Sequence, residues 1–516
     1  MITPGSQRPD LVSSLLCASA YPHAVESIEL IETHISWVFL TGDFAYKVKK
    51  PVDLGFLNFE TLEQRRHYCY EELRLNRAWA PSVYLDVVPL VSVNGAIWVD
   101  GDGEAVEYAL RMRQFDQEMR LDHRIDAGQL THEDVRSLAE EIARRHADAR
   151  RVQGTSALVE TTERLIWDNF EALAGVVPGV SLPQLREWTQ KKLQAHAALI
   201  RARCDDGHYR DCHGDLHLGN LVAVDNGFRA FDCIEFSREF REIDVVADYA
   251  FLLMDFIARG APDLATVFAN RYLEKTGDYS GACLLPVYLV YRSMVRAKVA
   301  ALLPHGETHD QATIRRYIAL ARAHAAQRRP ILVCMTGLAG SGKTWLSTRL
   351  LARFPAIRLR SDLERKRLFG FAETADSHSG IGEGIYDRDA GAAVYERLLS
   401  QGADLLSAGL NVILDATFLD VRDRKLARQM AKRVGAGAVL VQAIASQDAL
   451  RARVRDRAAA PSVSEADISV LEHQLDTAVP LDDDELVAAV VVDTEADIDI
   501  SAITAKIRQT ASAADL

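Results

Sequence analysis

The 516-residue chain has no C-x-x-C pair, and its seven cysteines (17, 69, 204, 212, 233, 283 and 334) are scattered and odd in number. That pattern excludes a zinc ribbon and a disulfide framework, and it suits a reducing compartment. Long apolar runs are also missing. The most hydrophobic stretch, residues 245–258, carries Asp248 and Asp255 and is too short to cross a bilayer. Pro4, Pro9 and Asp10 precede only a weak apolar run, which makes a poor signal peptide, so a cytoplasmic protein without a membrane partner is expected. Positive charge is short too: the net charge of −13 argues against nucleic acid as a partner. Internal repeats and low-complexity tracts are absent. The remaining composition, 48% hydrophobic and 26% charged, is that of ordinary globular protein, and the length calls for two or three domains. Nothing in it specifies an oligomeric state.

Against this plain background one stretch stands out: His213-Gly-Asp-Leu-His-Leu-Gly-Asn220. An Asp followed five residues later by an Asn is the spacing of a kinase catalytic loop, where the Asp accepts a hydroxyl proton and the Asn holds Mg²⁺. The residues after it predict a hairpin: an apolar run 221–224, the turn signal Asp225-Asn226-Gly227, and a return through 228–231 to Asp232. Equal strand lengths then bring Asn220 and Asp232 side by side, as two oxygen ligands next to a base. Asp215 is therefore the candidate base, and Asn220 and Asp232 the candidate metal ligands.

Upstream, residues 10–21 predict a short helix stopped by Pro22. Strands are expected over 28–40 and 44–48, around Thr41-Gly42-Asp43. Strand alternation puts Ala45, Lys47 and Lys49 on one face. An Ala-x-Lys strand of this kind carries the phosphate-binding lysine of kinases, with a helix Glu behind it. The helical stretch 60–79 offers Glu71 and Glu72 for that partnership. No glycine-rich loop precedes Lys47. A hairpin is expected over 96–100 and 105–112, helices over 131–205 broken at Pro178 and Pro183, and more helix through 262–304.

The pattern H-G-D-x-H-x-x-N with a following strand-borne Asp resembles aminoglycoside phosphotransferases and related small-molecule kinases, over roughly the first 325 residues. The resemblance implies a two-lobed, protein-kinase-like α+β fold over 1–328, with a small lobe to about 115 and a large lobe from about 116. It favours Glu72 as the partner of Lys47 and makes 113–115 the adenine-binding hinge. It also implies an Asp bracing the catalytic loop, for which Asp244 is the candidate. That family often lacks the glycine-rich loop, so the gap before Lys47 speaks against an ordinary protein kinase rather than against ATP. Its second carboxylate after the metal Asp is usually Asp. Here it is Glu235.

Gly306 interrupts the helical pattern, and a helix over 314–329 leads to Pro330, where a new unit begins. The buried-strand run 331–335 is followed by Gly337-Leu-Ala-Gly340-Ser341-Gly342-Lys343-Thr344 and an amphipathic helix. This is G-x-x-x-x-G-K-[ST] in the strand–loop–helix setting it requires. The loop amides cradle phosphates, Lys343 reaches the outer ones, and Thr344 ligates Mg²⁺. Strands over 357–360 and 411–414 end at Asp362 and Asp415. At the edge of a parallel sheet one would serve the metal and the other the acceptor hydroxyl. Arg365 lies three residues beyond Asp362. Arg451, Arg453, Arg455 and Arg457 share a helix before Ser462, Ser464 and Glu465, as in an arginine-bearing lid. A last strand over 487–492 and a last helix over 498–507 complete the unit.

S-D-x-x-R, then V-I-L-D-A-T, then the arginine-rich helix resembles small gluconate-kinase-like and polynucleotide-kinase-like P-loop kinases, often described as AAA-type ATP-binding domains. The resemblance implies an α/β three-layer P-loop domain with a parallel sheet over 329–516. It makes Asp362 the acceptor-side base, with Arg365 beside it, and Asp415 the metal-side carboxylate. Ala416 and Thr417 follow Asp415 where motor ATPases carry a second acid, which favours transfer over hydrolysis. The whole chain resembles a family of bacterial two-domain fusions of these parts. The expectation is an ATP- and Mg²⁺-dependent kinase with small hydroxylated acceptors. The alternative is a regulator whose P-loop domain senses or hydrolyses ATP and gates its neighbour.

Overall fold

The computed structural model describes residues 8–55, 57–93, 96–176, 182–302, 310–326, 328–377, 379, 383–458, 465–487 and 489–513. Its contacts divide into two units. The first comprises residues 1–186, 194–255 and 291–318, and the second 187–193, 256–290 and 319–516. Compared with the expected boundary at 328/329, the helices between 256 and 290 pack with the second unit.

The first unit begins with a six-stranded antiparallel sheet of β1 (Glu29–Glu32), β2 (Ser36–Leu40), β3 (Phe44–Lys49), β4 (Tyr84–Val93), β5 (Ala96–Val99) and β6 (Ala105–Arg113), in the order β1-β2-β3-β6-β4-β5. Two expectations are corrected here. The run 28–40 is a hairpin, turned at Thr33–Ser36, where the Thr33 hydroxyl donates to the Ser36 carbonyl and accepts from its amide. β5 pairs with β4 and not with β6, because β4 lies between them. Pro89 interrupts the pattern of β4, which the sequence therefore hid. The helix Leu62–Trp79 starts at a capping box between Thr61 and Gln64. It packs Leu73 against Ala80, Val83, Tyr84 and Leu110.

After this sheet come the helices His132–Asp148, Thr155–Leu173 and Pro183–Asp205. Pro183 starts the last of these at its first turn instead of breaking it. Pro178 and Gly306 lie outside the described residues. Two short antiparallel pairs frame the loop of interest: β7 (Tyr209–Asp211) with β10 (Glu242–Asp244), and β8 (Leu221–Val224) with β9 (Gly227–Ala230). Asp225 and Asn226 turn the second pair with φ of 53° and 55°, as a two-residue I′ turn requires.

In the second unit β11 (Ile331–Thr336), β12 (Ile357–Arg360), β13 (Val412–Asp415), β14 (Gly437–Ile444) and β15 (Ala489–Asp493) form an all-parallel sheet ordered β12-β13-β11-β14-β15. β11, β13, β14 and β15 are mostly aliphatic runs, as expected of a sheet covered on both faces, while β12 alternates Ile357 and Leu359 with Arg358 and Arg360. Val333, Met335, Ile413, Val441 and Val492 pack with Leu346, Leu350 and Ile507 in one core cluster. Among the described residues no helix is long and apolar enough to cross a membrane. All seven cysteines are free, and only Cys17 is exposed.

Candidate functional sites

The loop 213–220 is held from below by carboxylates of the helix Val245–Ala258. Asp248 accepts from the amides of His213 (3.1 Å) and Gly214 (2.8 Å) and bonds His146 Nε2 (3.1 Å), while Asp255 accepts from the Leu218 amide (3.0 Å). The expected brace, Asp244, is corrected: it pairs with the buried Arg203 at 2.7 Å and caps the same helix through the Val246 amide. Asp244 sits at the start of the helix, and one further turn is needed to reach the loop. His146, Cys212 and Asp248 cluster within 4.8 Å. With both Asp248 oxygens already bonded, the cluster serves as this brace and not as a metal centre. Gly214 has φ of +84°, and a Cβ there would meet the Phe240 carbonyl at 2.8 Å, so glycine is required.

Above the brace, Asn220 Nδ2 donates to Asp215 Oδ2 (3.0 Å) and to the Asp215 carbonyl (3.1 Å). Burial alone would raise the Asp215 carboxyl. His217, with its Nε2 3.5 Å away, then Arg296 and His213, hold it well below the usual carboxylate range. Across the hairpin Asn220 accepts the Phe231 amide (2.9 Å), which puts Asp232 one residue past direct opposition. Asp232 has φ of 62°, and its amide donates to the Tyr84 hydroxyl at 3.0 Å.

Lys47 is paired with Glu72 Oε1 (2.8 Å) and with Asp232. Glu71 turns instead to Arg74 (2.7 Å) and Arg241 (3.1 Å). Lys49 joins Glu72 Oε2 (2.7 Å) to Glu235 and lies 4.9 Å from the Phe59 ring centroid. The result is a chain of alternating charge, Asp232–Lys47–Glu72–Lys49–Glu235, buried except at the half-exposed Asp232. Burial opposes ionisation of Glu72, but the two lysines bring it down to about 2. Sequence reasoning put Lys49 on the right face but gave it no role, and left that of Glu235 open. The signal was there, since Lys49 is two residues along the strand from Lys47.

Lys47, Asp215, Asn220 and Asp232 line one cavity of about 560 Å³, built wholly from the first unit. The expected hinge residues Arg113, Gln114 and Phe115 line it too, as do Thr33, His34 and Ile35 of the β1–β2 turn. That turn covers the cavity where a glycine-rich loop would be sought.

In the second unit the loop after β11 curls under glycines at positive φ: Gly337 (+139°), Gly340 (+78°) and Gly342 (+89°). At Gly337 a Cβ would stand 2.5 Å from the Ala443 carbonyl. Ser341 is buried in the same loop, and Gly342 caps the helix Lys343–Leu350. Lys343 Nζ donates to the carbonyls of Gly337 and Leu338, both at 2.8 Å. Burial pushes it down to about 8, against the pull of Asp415 and Asp362. Thr344 (3.3 Å) and Ser347 (2.9 Å) both donate to the buried Asp415 at the end of β13. Ser347 was missed, though it lies one helical turn past Thr344.

Asp362 is in the first turn of the helix Ser361–Leu368, beyond β12, whose Arg360 is paired in register with Asp415. Arg365 is turned away, donating to the Ile385 carbonyl (2.8 Å) and stacking over Tyr386 (4.9 Å). Of the lid arginines, Arg451 pairs with Glu472 (2.7 Å) and Arg453 with Thr494 (2.7 Å). Arg455 is exposed. Arg457 is half-buried and senses the charge of Asp362. Ser462 and Ser464 lie outside the described residues.

Both donor sets suit the groups expected of them. Asn220 with Asp232, and Thr344 with Asp415, are oxygen ligands of the kind Mg²⁺ takes. A glycine cradle around a partly buried lysine whose ammonium bonds two backbone carbonyls fits a polyphosphate.

A family model described as an AAA domain matches residues 332–481. An uncharacterized protein of Mycobacterium tuberculosis (strain ATCC 25618 / H37Rv) is 30% identical over 470 residues, which is 88% of this chain and 93% of that one. Among solved structures, a choline/ethanolamine kinase family protein from Mesorhizobium loti aligns with 61% of this chain and 94% of its own, at a TM-score of 0.39 and 12% identity. A gluconokinase from Sinorhizobium meliloti 1021 aligns with 36% of this chain and 94% of its own, at a TM-score of 0.24 and 20% identity. The chain thus belongs to the family of the mycobacterial protein, and its AAA-domain match falls within the second unit.

Proposed function

We propose that the chain is an ATP- and Mg²⁺-dependent phosphotransferase with two nucleotide sites, each acting on hydroxyl groups of small molecules such as sugars, amino sugars, aminoglycosides or nucleosides. The observation that carries this reading is the convergence of Asp215, Asn220, Asp232 and the Lys47–Glu72 pair on one cavity. In the first site Asp215, kept ionised by His217, orients the acceptor hydroxyl and accepts its proton. The oxygen so freed bonds to the γ-phosphorus as the bond to the β-phosphate oxygen breaks, giving ADP and a phosphomonoester. Lys47, fixed by Glu72, holds the phosphates of ATP. In the second site Lys343 holds them, Asp362 faces the acceptor, and Arg365 reaches the phosphates only by leaving Ile385. Mg²⁺, which neutralises phosphate charge, would be held by Asn220 and Asp232 in the first site and by Thr344 and Asp415 in the second.

The deciding experiment incubates the full chain with Mg²⁺, labelled ATP and a pooled acceptor library, beside Asp215→Ala and Lys343→Ala. A labelled product that disappears in one variant supports the reading and assigns the product to a unit. Phosphate release without product, lost only in Lys343→Ala, overturns it in favour of a nucleotide-gated regulator.

A further inference from the structure

Beyond Asp215 the cavity of the first unit is walled by the helix Leu285–Leu302. Spacings of four, three and four residues put Tyr291, Val295, Lys298 and Leu302 on one face of it. Arg292 lines the cavity beside them and is only 3% exposed. It donates through Nε to the Ala247 carbonyl (2.8 Å) and through Nη1 to the Gly214 carbonyl (3.1 Å). Its guanidinium lies 4.8 Å from the Phe251 ring centroid and 5.1 Å from that of Tyr291. Its Nη2 has no hydrogen-bond partner among the described residues. Phe236 and Phe240, 6.2 Å apart and edge to face, add further ring surface to the lining.

The charge balance of this wall is uneven. Among the described residues, the carboxylates lining the cavity are Asp215, Asp232 and Glu235. Asp232 is held by Lys47 and Glu235 by Lys49, and Asp215 has His217 Nε2 at 3.5 Å. Arg292 and Lys298 both face the lining without a carboxylate partner among the described residues. A buried guanidinium with an amino group to spare on an aromatic floor is suited to a carboxylate or phosphate oxygen. A polycation would meet like charge there.

We infer that the acceptor of this site is a hydroxylated small molecule carrying an anionic group, phosphate or carboxylate, on an apolar or aromatic body, and not a polycation. Its hydroxyl meets Asp215, its anion meets Arg292 and Lys298, and its body lies against Phe236, Phe240 and Val295. The inference rests on Asp215 being the base, and the transfer step is the one given above.

The test offers the full chain, with Mg²⁺ and labelled ATP, three separate acceptor pools. The first holds hydroxylated phosphates and carboxylates, the second neutral sugars and nucleosides, and the third aminoglycosides and amino alcohols. The expected product comes from the anionic pool and is lost in Asp215→Ala. Separate assay of its phosphate and carboxylate members tells which anion is taken. Lys298→Glu lowers kcat/KM for that acceptor by ~10-fold or more while KM for ATP holds, and Lys298→Arg recovers most of the loss. Product from the neutral or cationic pool, at a rate that Lys298→Glu raises or leaves alone, overturns the inference and spares the phosphotransferase reading. No product from any pool overturns the phosphotransferase reading, and calorimetry in saturating ADP then decides the inference. Phenyl phosphate binding more tightly than phenyltrimethylammonium, and ~10-fold more weakly to Lys298→Glu, upholds an anion site. Equal binding of the two probes, or indifference to the charge reversal, overturns it.

Discussion

The two units each set a candidate phosphate-binding lysine at their site, and they treat it in opposite ways. Lys47 sits between Glu72 and Asp232, and these carboxylates, with Glu235, raise its pKa against the effect of burial. Lys343 meets only the carbonyls of Gly337 and Leu338, and burial brings it down to about 8. One site is neutralised by the chain itself and stays assembled without its nucleotide. The other stores an unmet positive charge that an anion relieves. Preorganisation in the first is electrostatic, while in the second it is a matter of backbone shape.

The sharpest break of this contrast is Glu72→Gln. Removing the central carboxylate of the charge chain leaves Lys47 with Asp232 alone and Lys49 with Glu235 alone, and it should cost the first unit about 3–5 kcal/mol in denaturant unfolding. Next comes Asp248→Asn, which weakens the brace at two loop amides. It should lower the stability of that unit by about 1–3 kcal/mol and slow transfer, as read by melting and turnover. A smaller effect, of the opposite cause, is expected from pH. Lys343 is protonated when free below about 8 and is held protonated by bound phosphate. Nucleotide affinity of the second site should therefore be flat below pH 8 and fall above it, by up to about tenfold per unit, in calorimetry of the binding that Lys343→Ala abolishes. The same shift makes Lys343 a burden on the ligand-free fold. Its folded pKa of about 8 lies below the ordinary 10.5, so the penalty is full below pH 8 and fades as pH rises toward 10.5. Lys343→Met should leave the ligand-free melting temperature unchanged or slightly higher while erasing stabilisation by ATP at that site. A clear fall in melting temperature would mean that its two carbonyl bonds outweigh its burial.

The candidate sites of this chain were legible where they are local in sequence. The loop 213–220, its hairpin to Asp232, and the glycine loop 337–344 each carry their own spacing, and each forms the element it predicts. What stayed hidden was set by distant partners. Asp244 and Asp248 lie one turn apart on similar surroundings, and only the position of the loop above them decides which one braces it. Strand β4 was masked by Pro89, and β14 lacked a motif to mark it. Lys49 reads as one more lysine until Glu235, far along the chain, closes the charge chain. The placement of residues 256–290 with the second unit rests on contacts such as that of Glu274 with the buried Arg358 (2.6 Å), which no local pattern announces.

The cysteines give this molecule a built-in clock. Burial pushes the Cys334 thiol, on the strand before the phosphate loop, up to about 12, and the Cys212 and Cys233 thiols beside the loop 213–220 upward as well. Such thiols are inert until their surroundings open. After rapid labelling of the exposed Cys17, each later modification times an opening event. Cys334 keeps time for one unit and Cys212 with Cys233 for the other, without a single added probe.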